Sequence, residues 1–347
     1  MEGRMWPIRT EVKSKRLRHG KPQSFLTWAW QKELRENAQD RRIYREINPY
    51  MEVYRFRDNL YGIWADNLDG MGDVWMFLIV GPRKAMLIDT AYGLGNYQGL
   101  LDELTDGKEV IVVNTHEHYD HAYGNCRFDR VYCHEYLVPY LKSQHEHMWD
   151  YIFDPFGEFI WVEFDKKDLP RFKPYEIIGV PDGYVWDLGD GYEVELILTG
   201  GHSIGHAAYL DKRNRILFPG DNICSDFNTS CGTVDMVKKE PHGEVGTLQF
   251  FRDATARLVE RMGEYDYIFP QHHMVNIEGR FMEDVLKTCD AILKDPDDYD
   301  YKQVTYGKFR MERTIRYYKH IYGGMPISYT MARDNAGIQY QQRVNEE

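Results

Sequence analysis

Apolar positions along this chain change period several times, and each change marks an element. MEVYRFRDNLYGIW (residues 51–64) and VWMFLIVGPRKAMLIDTAYG (74–93) read as strands. The second is split by Gly81-Pro82-Arg83-Lys84 into two apolar strands joined by a turn. YQGLLDELT (97–105) has helical spacing, and EVIVVNT (109–115), rich in β-branched residues, reads as a buried strand. EVELIL (193–198) and RILFPGD (215–221) repeat the pattern of an apolar run closed by polar residues. A helix is predicted over 246–263, a short strand in YDYIFPQHH (265–273) and a further helix near 279–294. Strands alternating with helices predict an α/β class.

The flanks differ. SFLTWAWQKELRENAQDRRIYREI (24–47) has helix formers, Ser24 as N-cap and no internal glycine or proline, which predicts a helix docking through Trp28, Trp30, Leu34 and Ile43. Residues 1–50 are therefore expected to be a basic, largely helical N-terminal extension and 51–294 the catalytic domain. Residues 134–180 form an irregular, aromatic-rich insertion in that domain. Residues 295–347 are expected to be a tyrosine-rich C-terminal extension.

Composition narrows the function classes. The net charge of −12 argues against nucleic-acid binding. It is uneven: residues 1–50 carry 12 Lys/Arg against 6 Asp/Glu, leaving −18 on the remainder. A basic arm docking on an acidic body, its own or a neighbouring subunit's, is the expected use, so a homo-oligomer through the terminal extensions is an open expectation. Five cysteines without a CxxC pair predict neither a disulfide framework nor a cysteine metal site. The first 20 residues lack a signal-peptide core and no run approaches a membrane span, so a cytoplasmic protein without membrane partners is expected.

The chemistry concentrates in NTHEHYDHAYGN (114–125), directly after a predicted strand. Imidazole and carboxylate are the ligands of zinc-type divalent ions. His116 and His118 form one pair, Asp120 and His121 another, and adjacent residues cannot comfortably share one ion with the first pair. Two ions would accommodate both pairs. Further donors stand at other predicted strand ends: His202 in TGGHSIGH, Asp221 in FPGD and His272 in FPQHH.

HxHxDH followed by these three motifs in order, with LIDT upstream, resembles the metallo-β-lactamase superfamily over residues 52–285. The resemblance implies a four-layer αββα sandwich carrying N-terminal and C-terminal extensions. By position it implies His116, His118 and His202 on a first metal ion, Asp120, His121 and His272 on a second, and Asp221 bridging. The pattern is similar to binuclear glyoxalase II and lactonase members. It departs in one place: Pro270-Gln271-His272-His273 stands where Pro-Gly-His-Gly is usual, and His272 rather than His273 is taken as the ligand.

The resemblance implies a hydrolase using two divalent ions, zinc foremost with iron or manganese as alternatives. Water shared by two ions becomes a nucleophile near neutral pH. It would attack an ester, lactone, thioester or amide of a moderately apolar small molecule, with Asp120 as the catalytic proton shuttle. Sulfate-ester or phosphodiester hydrolysis, iron-dependent oxidation and an inactive binding module are the competing readings. His206 and His134 are expected to be structural, the His145/His147 pair to lie outside any metal site, and Asp89 to support the metal loop through hydrogen bonds.

Overall fold

The computed structural model describes residues 40–65, 68, 74–225, 227–229, 239–306, 313–321 and 337–340. The chain divides into two compact units, residues 1–181 with 185–194, and residues 182–184 with 195–347. The chain passes between them after residues 181, 184 and 194, all inside the segment expected to be one catalytic domain. Most of the predicted N-terminal helix lies outside the described residues. Its described end is not helical: Arg41–Arg42 is a short strand, β1, paired antiparallel with Val53 and Tyr54. The Arg41 guanidinium lies 3.4 Å from the fully buried Glu52 carboxylate. Sheet pairing and that ion pair override helix propensity at this point.

The first unit is built on an eight-stranded sheet in sequential order, β1 to β8. Strands β2 (Met51–Arg57), β3 (Leu60–Ala65), β4 (Val74–Val80) and β5 (Lys84–Ile88) run as antiparallel neighbours. From β5 the sheet turns parallel through β6 (Glu109–Val113), β7 (Arg130–His134) and β8 (Glu176–Val180). The Tyr97–Thr105 helix connects β5 to β6, as a parallel pair requires. Its Leu100, Leu101 and Leu104 pack on Met76, Leu78, Ala85 and Leu87 of the sheet. β4 is buried on both faces, which explains its unbroken apolar run.

The short β9 (Val185–Asp187) falls in the first unit, and the second unit carries a sheet in the order β15 (Ile277–Glu278), β14 (Tyr267–Ile268), β12 (Ile216–Phe218), β11 (Ala207–Asp211), β10 (Glu193–Leu198). Helices Leu248–Glu260 and Phe281–Lys294 pack on it, placing Phe251, Leu258, Val285 and Ile292 against Leu210, Leu217 and Ile268. The chain is thus the mixed α/β fold anticipated, each unit joining a sheet to helices. The C-terminal segment contributes strands β16 (Tyr301–Tyr306), β17 (Arg313–His320) and β18 (Gly337–Tyr340). They form a second sheet with β13 (Phe227–Thr229), and Ile321 and Ile338 are buried in the core of this unit. Among the described residues, no helix is long and apolar enough to cross a membrane.

Candidate metal centre

Strand ends carry the chemistry. β5 and β6 are parallel neighbours, with Ile88 opposite Val113, so the residues following each strand emerge side by side. Asp89 follows β5 in a left-handed conformation, φ 63°, which Asp tolerates better than most side chains. Its fully buried carboxylate accepts from Thr115 N (2.7 Å) and Thr115 Oγ1 (2.8 Å), and faces His121 Nδ1 at 3.0 Å. Burial pushes the Asp89 carboxyl above its ordinary range, while the bonds from His121 and Thr115 pull it back.

Those contacts set imidazole tautomers. An acceptor opposite His121 Nδ1 favours the proton there and leaves Nε2 as a donor for a metal. Thr115 Oγ1, already donating to Asp89, can accept from His116 Nδ1 at 2.9 Å. Asp89 therefore orients His121 directly and His116 through one hydroxyl. His116 Nε2 lies 3.1 Å from His118 Nδ1, and His121 Nε2 lies 3.6 Å from Asp120 Oδ2. His116 and His121 are fully buried, and Asp120 nearly so.

The loop itself is braced from beneath. Asn114 and Asn125 exchange side-chain amide bonds, Thr90 Oγ1 donates to Asn125 Oδ1 at 2.8 Å, and Thr90 N donates to His121 O at 2.7 Å. A Cβ on Gly124 would stand 2.1 Å from Thr90 O, so only glycine allows this approach. Tyr123, on the following turn, has its phenol pKa raised by burial and by the nearby Asp120 carboxylate.

In the second unit, His202 follows β10, Asp221 follows β12 in the Gly220–Asn222 turn, and His272 follows β14. Asp221 Oδ2 lies 3.6 Å from His202 Nε2 and 3.3 Å from His272 Nε2. It is therefore His272 whose ring turns toward Asp221. His273 adopts φ 61°, the left-handed backbone that a glycine would supply at this position. His206 is buried and its Nε2 accepts from Asp221 N at 3.1 Å, while its Nδ1 faces Thr199 Oγ1 at 2.9 Å. It positions the acid's backbone, a more specific task than the structural role expected of it.

Asn222, Thr115, Asn114 and Asn125 are site-building residues that the sequence reading missed. For Thr115, Asn114 and Asn222 the only signal was polarity close after an apolar strand, and Asn125, in the turn 123–127, carried none. Asn222 Oδ1 accepts from His202 N at 3.0 Å, and its Nδ2 donates to Gly200 O at 2.7 Å. His134 accepts from Tyr136 N and caps a turn. The exposed His147 faces Asp150 at 3.2 Å, and neither it nor His145 belongs to the groups able to hold a metal among the described residues.

Comparison with known proteins gives this arrangement its family. Residues 69–272 match the Metallo-beta-lactamase superfamily profile, well over half of the 347-residue chain. The chain belongs to that superfamily. It is 29% identical over 174 residues to the Acyl-coenzyme A thioesterase MBLAC2 of Homo sapiens, covering 44% of this chain. It is 28% identical over 173 residues to the protein of the same name in Bos taurus. The matched stretch spans 58% of the length of these relatives. A metallo-beta-lactamase from Pontibacter korlensis is 15% identical with a TM-score of 0.48, over 69% of this chain and 99% of that one. Family and relatives together point to a hydrolase.

Proposed function

We propose that this protein is a metal-dependent hydrolase of carboxyl derivatives, and that a thioester with a moderately apolar acyl group is its substrate class. The observation that carries the reading is the donor set. In each unit imidazole nitrogens stand 3.1–3.6 Å from another imidazole or from a carboxylate, the neutral-plus-anionic mixture that suits divalent ions. In this reading His116, His118 and His202 hold one ion, Asp120, His121 and His272 hold the other, and Asp221 is shared. Zinc is the first choice of metal, with iron and manganese compatible with the same donors. The thioester is preferred over the ester, lactone and amide because the curated relatives are named as thioesterases.

Two such ions, when bound, lower the pKa of water and polarise a carbonyl oxygen. The chain supplies the rest. Asp89 keeps the His121 Nδ1 proton in place and, through Thr115, that of His116. His206 holds the Asp221 backbone, so the shared carboxylate is presented in one orientation. Asp120 uses a carboxylate oxygen to take the proton released on attack and to return it to the departing thiolate. In the same reading the substrate is a small molecule, the protein works in the cytoplasm, and the terminal segments serve contacts between copies of the chain.

The test is metal analysis of the purified protein combined with hydrolysis assays on thioesters, lactones, β-lactams, sulfate esters and phosphodiesters. Thioester turnover should be abolished in His118→Ala and Asp221→Ala together with metal content. Turnover surviving in folded, metal-depleted protein would sink the reading, and a preference for sulfate or phosphate esters would replace its substrate class.

A further inference from the structure

The aromatic insertion packs against the metal loop. Tyr119 lies between His118 and Asp120, and its ring centroid is 5.3 Å from Tyr151, 6.2 Å from Tyr123 and 6.0 Å from Tyr92. Tyr123 in turn is 6.0 Å from Trp149 and 6.4 Å from Tyr151. One side of this group is anchored in the core: Tyr92 and Trp149 are buried, and Trp149 Nε1 donates to Tyr92 O at 3.2 Å. The other side is open, since Tyr151 remains 39% exposed. Aromatic faces with one side anchored and one side wet form a rigid apolar wall that costs little entropy to present.

The run continues outward to a pinned turn. Phe153 bridges to Phe159, and Asp154 N donates to Glu158 O at 2.8 Å. Asp154 Oδ1 accepts from the backbone N–H of both Phe156 and Glu158, each at 2.9 Å. Lys166 Nζ donates to Gly157 O at 2.7 Å and lies 5.1 Å and 5.4 Å from the centroids of Phe153 and Phe159. The outcome is Phe156 held 89% exposed at the tip. A single exposed apolar side chain is ordinary. One fixed by this many bonds, at the end of an aromatic run that starts inside the metal loop, is not explained by packing.

Charge selects the occupant. Residues 142–167 contain Glu146, Asp150, Asp154, Glu158, Glu163 and Asp165 against Lys142, Lys166 and Lys167, an acidic excess of three, and Lys166 and Lys167 are engaged with Gly157 O and Asp165. That rim repels an anionic lipid surface or a polyphosphate group, and it leaves an uncharged hydrocarbon as the ligand of matching chemistry. We infer that the wall of Tyr119, Tyr123 and Tyr151 seats the acyl chain of the substrate, with Phe156 covering the far end of long chains. This rests on the hydrolase reading for the identity of the substrate, but not for the existence of the apolar site. Any charged part of the substrate lies away from this wall.

The experiment uses the full chain as purified and a series of thioesters of one thiol, from acetyl to dodecanoyl. Burial of a methylene corresponds to about a three- to fourfold gain in kcat/KM for each carbon added until the wall is covered. Tyr151→Ala should flatten the slope of log kcat/KM against chain length. Phe156→Ser, at a site too exposed to disturb folding, should flatten only its long-chain end. Slopes equal to the wild-type slope in both variants, whatever common factor affects the rates, would overturn the inference. In parallel, butanol and dodecanol are titrated by tryptophan fluorescence. Dodecanol should bind at least tenfold tighter than butanol, and Tyr151→Ala should abolish the difference. Chain-length-dependent alcohol binding without thioester turnover keeps the acyl site and removes the hydrolase reading. Turnover that is independent of chain length does the reverse.

Discussion

Asp89→Asn isolates what a single buried carboxylate does for the metal loop. Asn tolerates the φ of 63° at this position, so the backbone is undisturbed and only one oxygen is exchanged for an NH2 group. The carboxylate has three donors to satisfy: Thr115 N at 2.7 Å, Thr115 Oγ1 at 2.8 Å and His121 Nδ1 at 3.0 Å. An amide cannot satisfy them all. With its oxygen toward His121, the NH2 group faces the Thr115 N–H, and a buried donor is stranded. With its oxygen toward Thr115 N, the NH2 group faces His121 Nδ1, which then accepts, and the ring proton moves to Nε2, the atom that would bind metal.

The first arrangement costs about 1–3 kcal/mol, the penalty for one unsatisfied buried donor. At roughly 2–4 °C per kcal/mol for units of this size, the midpoint of thermal unfolding should fall by about 2–12 °C. The second arrangement should instead lower metal affinity by about 10–100-fold, the usual consequence of removing the partner of a ligating histidine. Thermal unfolding with and without chelator, with competition against a chromophoric chelator, measures both quantities. An unfolding midpoint within 1 °C of wild type together with metal affinity within about twofold would refute the account of Asp89 as the group that sets the His121 tautomer.

His206→Phe keeps an aromatic ring but removes the acceptor for Asp221 N and the partner of Thr199 Oγ1; stability should drop by at least about 1–3 kcal/mol, read by urea unfolding, with weaker metal retention in chelator competition. Acid should weaken the second unit through Glu264, whose carboxyl is pulled down from 4.5 to about 2, chiefly by its bond to Arg261 with help from Lys212. Because the folded-state value lies below the unfolded one, this contribution is complete above pH 4.5 and is lost as pH falls toward about 2. Urea midpoints at pH 7 and pH 3 should therefore differ less in Glu264→Gln than in wild type, and an unchanged difference would contradict the assignment.

Legibility in the sequence followed distance along the chain. The unbroken apolar runs of β4 and β6 and the helical spacing of Tyr97–Thr105 and Phe281–Lys294 are local patterns, and the structure repeats them within a few residues. The crowded HEHYDH stretch is likewise a local signal, and polar residues closing later strands pointed to His202, Asp221 and His272. Arg41–Arg42 misled in the opposite sense: helix formers lie locally, but the strand they join is residues 53–54 and the acid they meet is Glu52.

What the sequence alone determined is the inventory of donors and the strand ends on which they stand, because chain connectivity places a residue at the end of its own apolar run. The tertiary structure decided which donors are held in which orientation. Asp89 reaches Thr115 and His121 only because β5 and β6 are parallel neighbours in register, a pairing across 26 to 32 residues. His272 faces Asp221, with His273 left in a glycine-like backbone, only because β12 and β14 lie side by side. Hydrogen-bond direction and imidazole tautomer depend on geometry set by sheet register, and no spacing within a single strand encodes it.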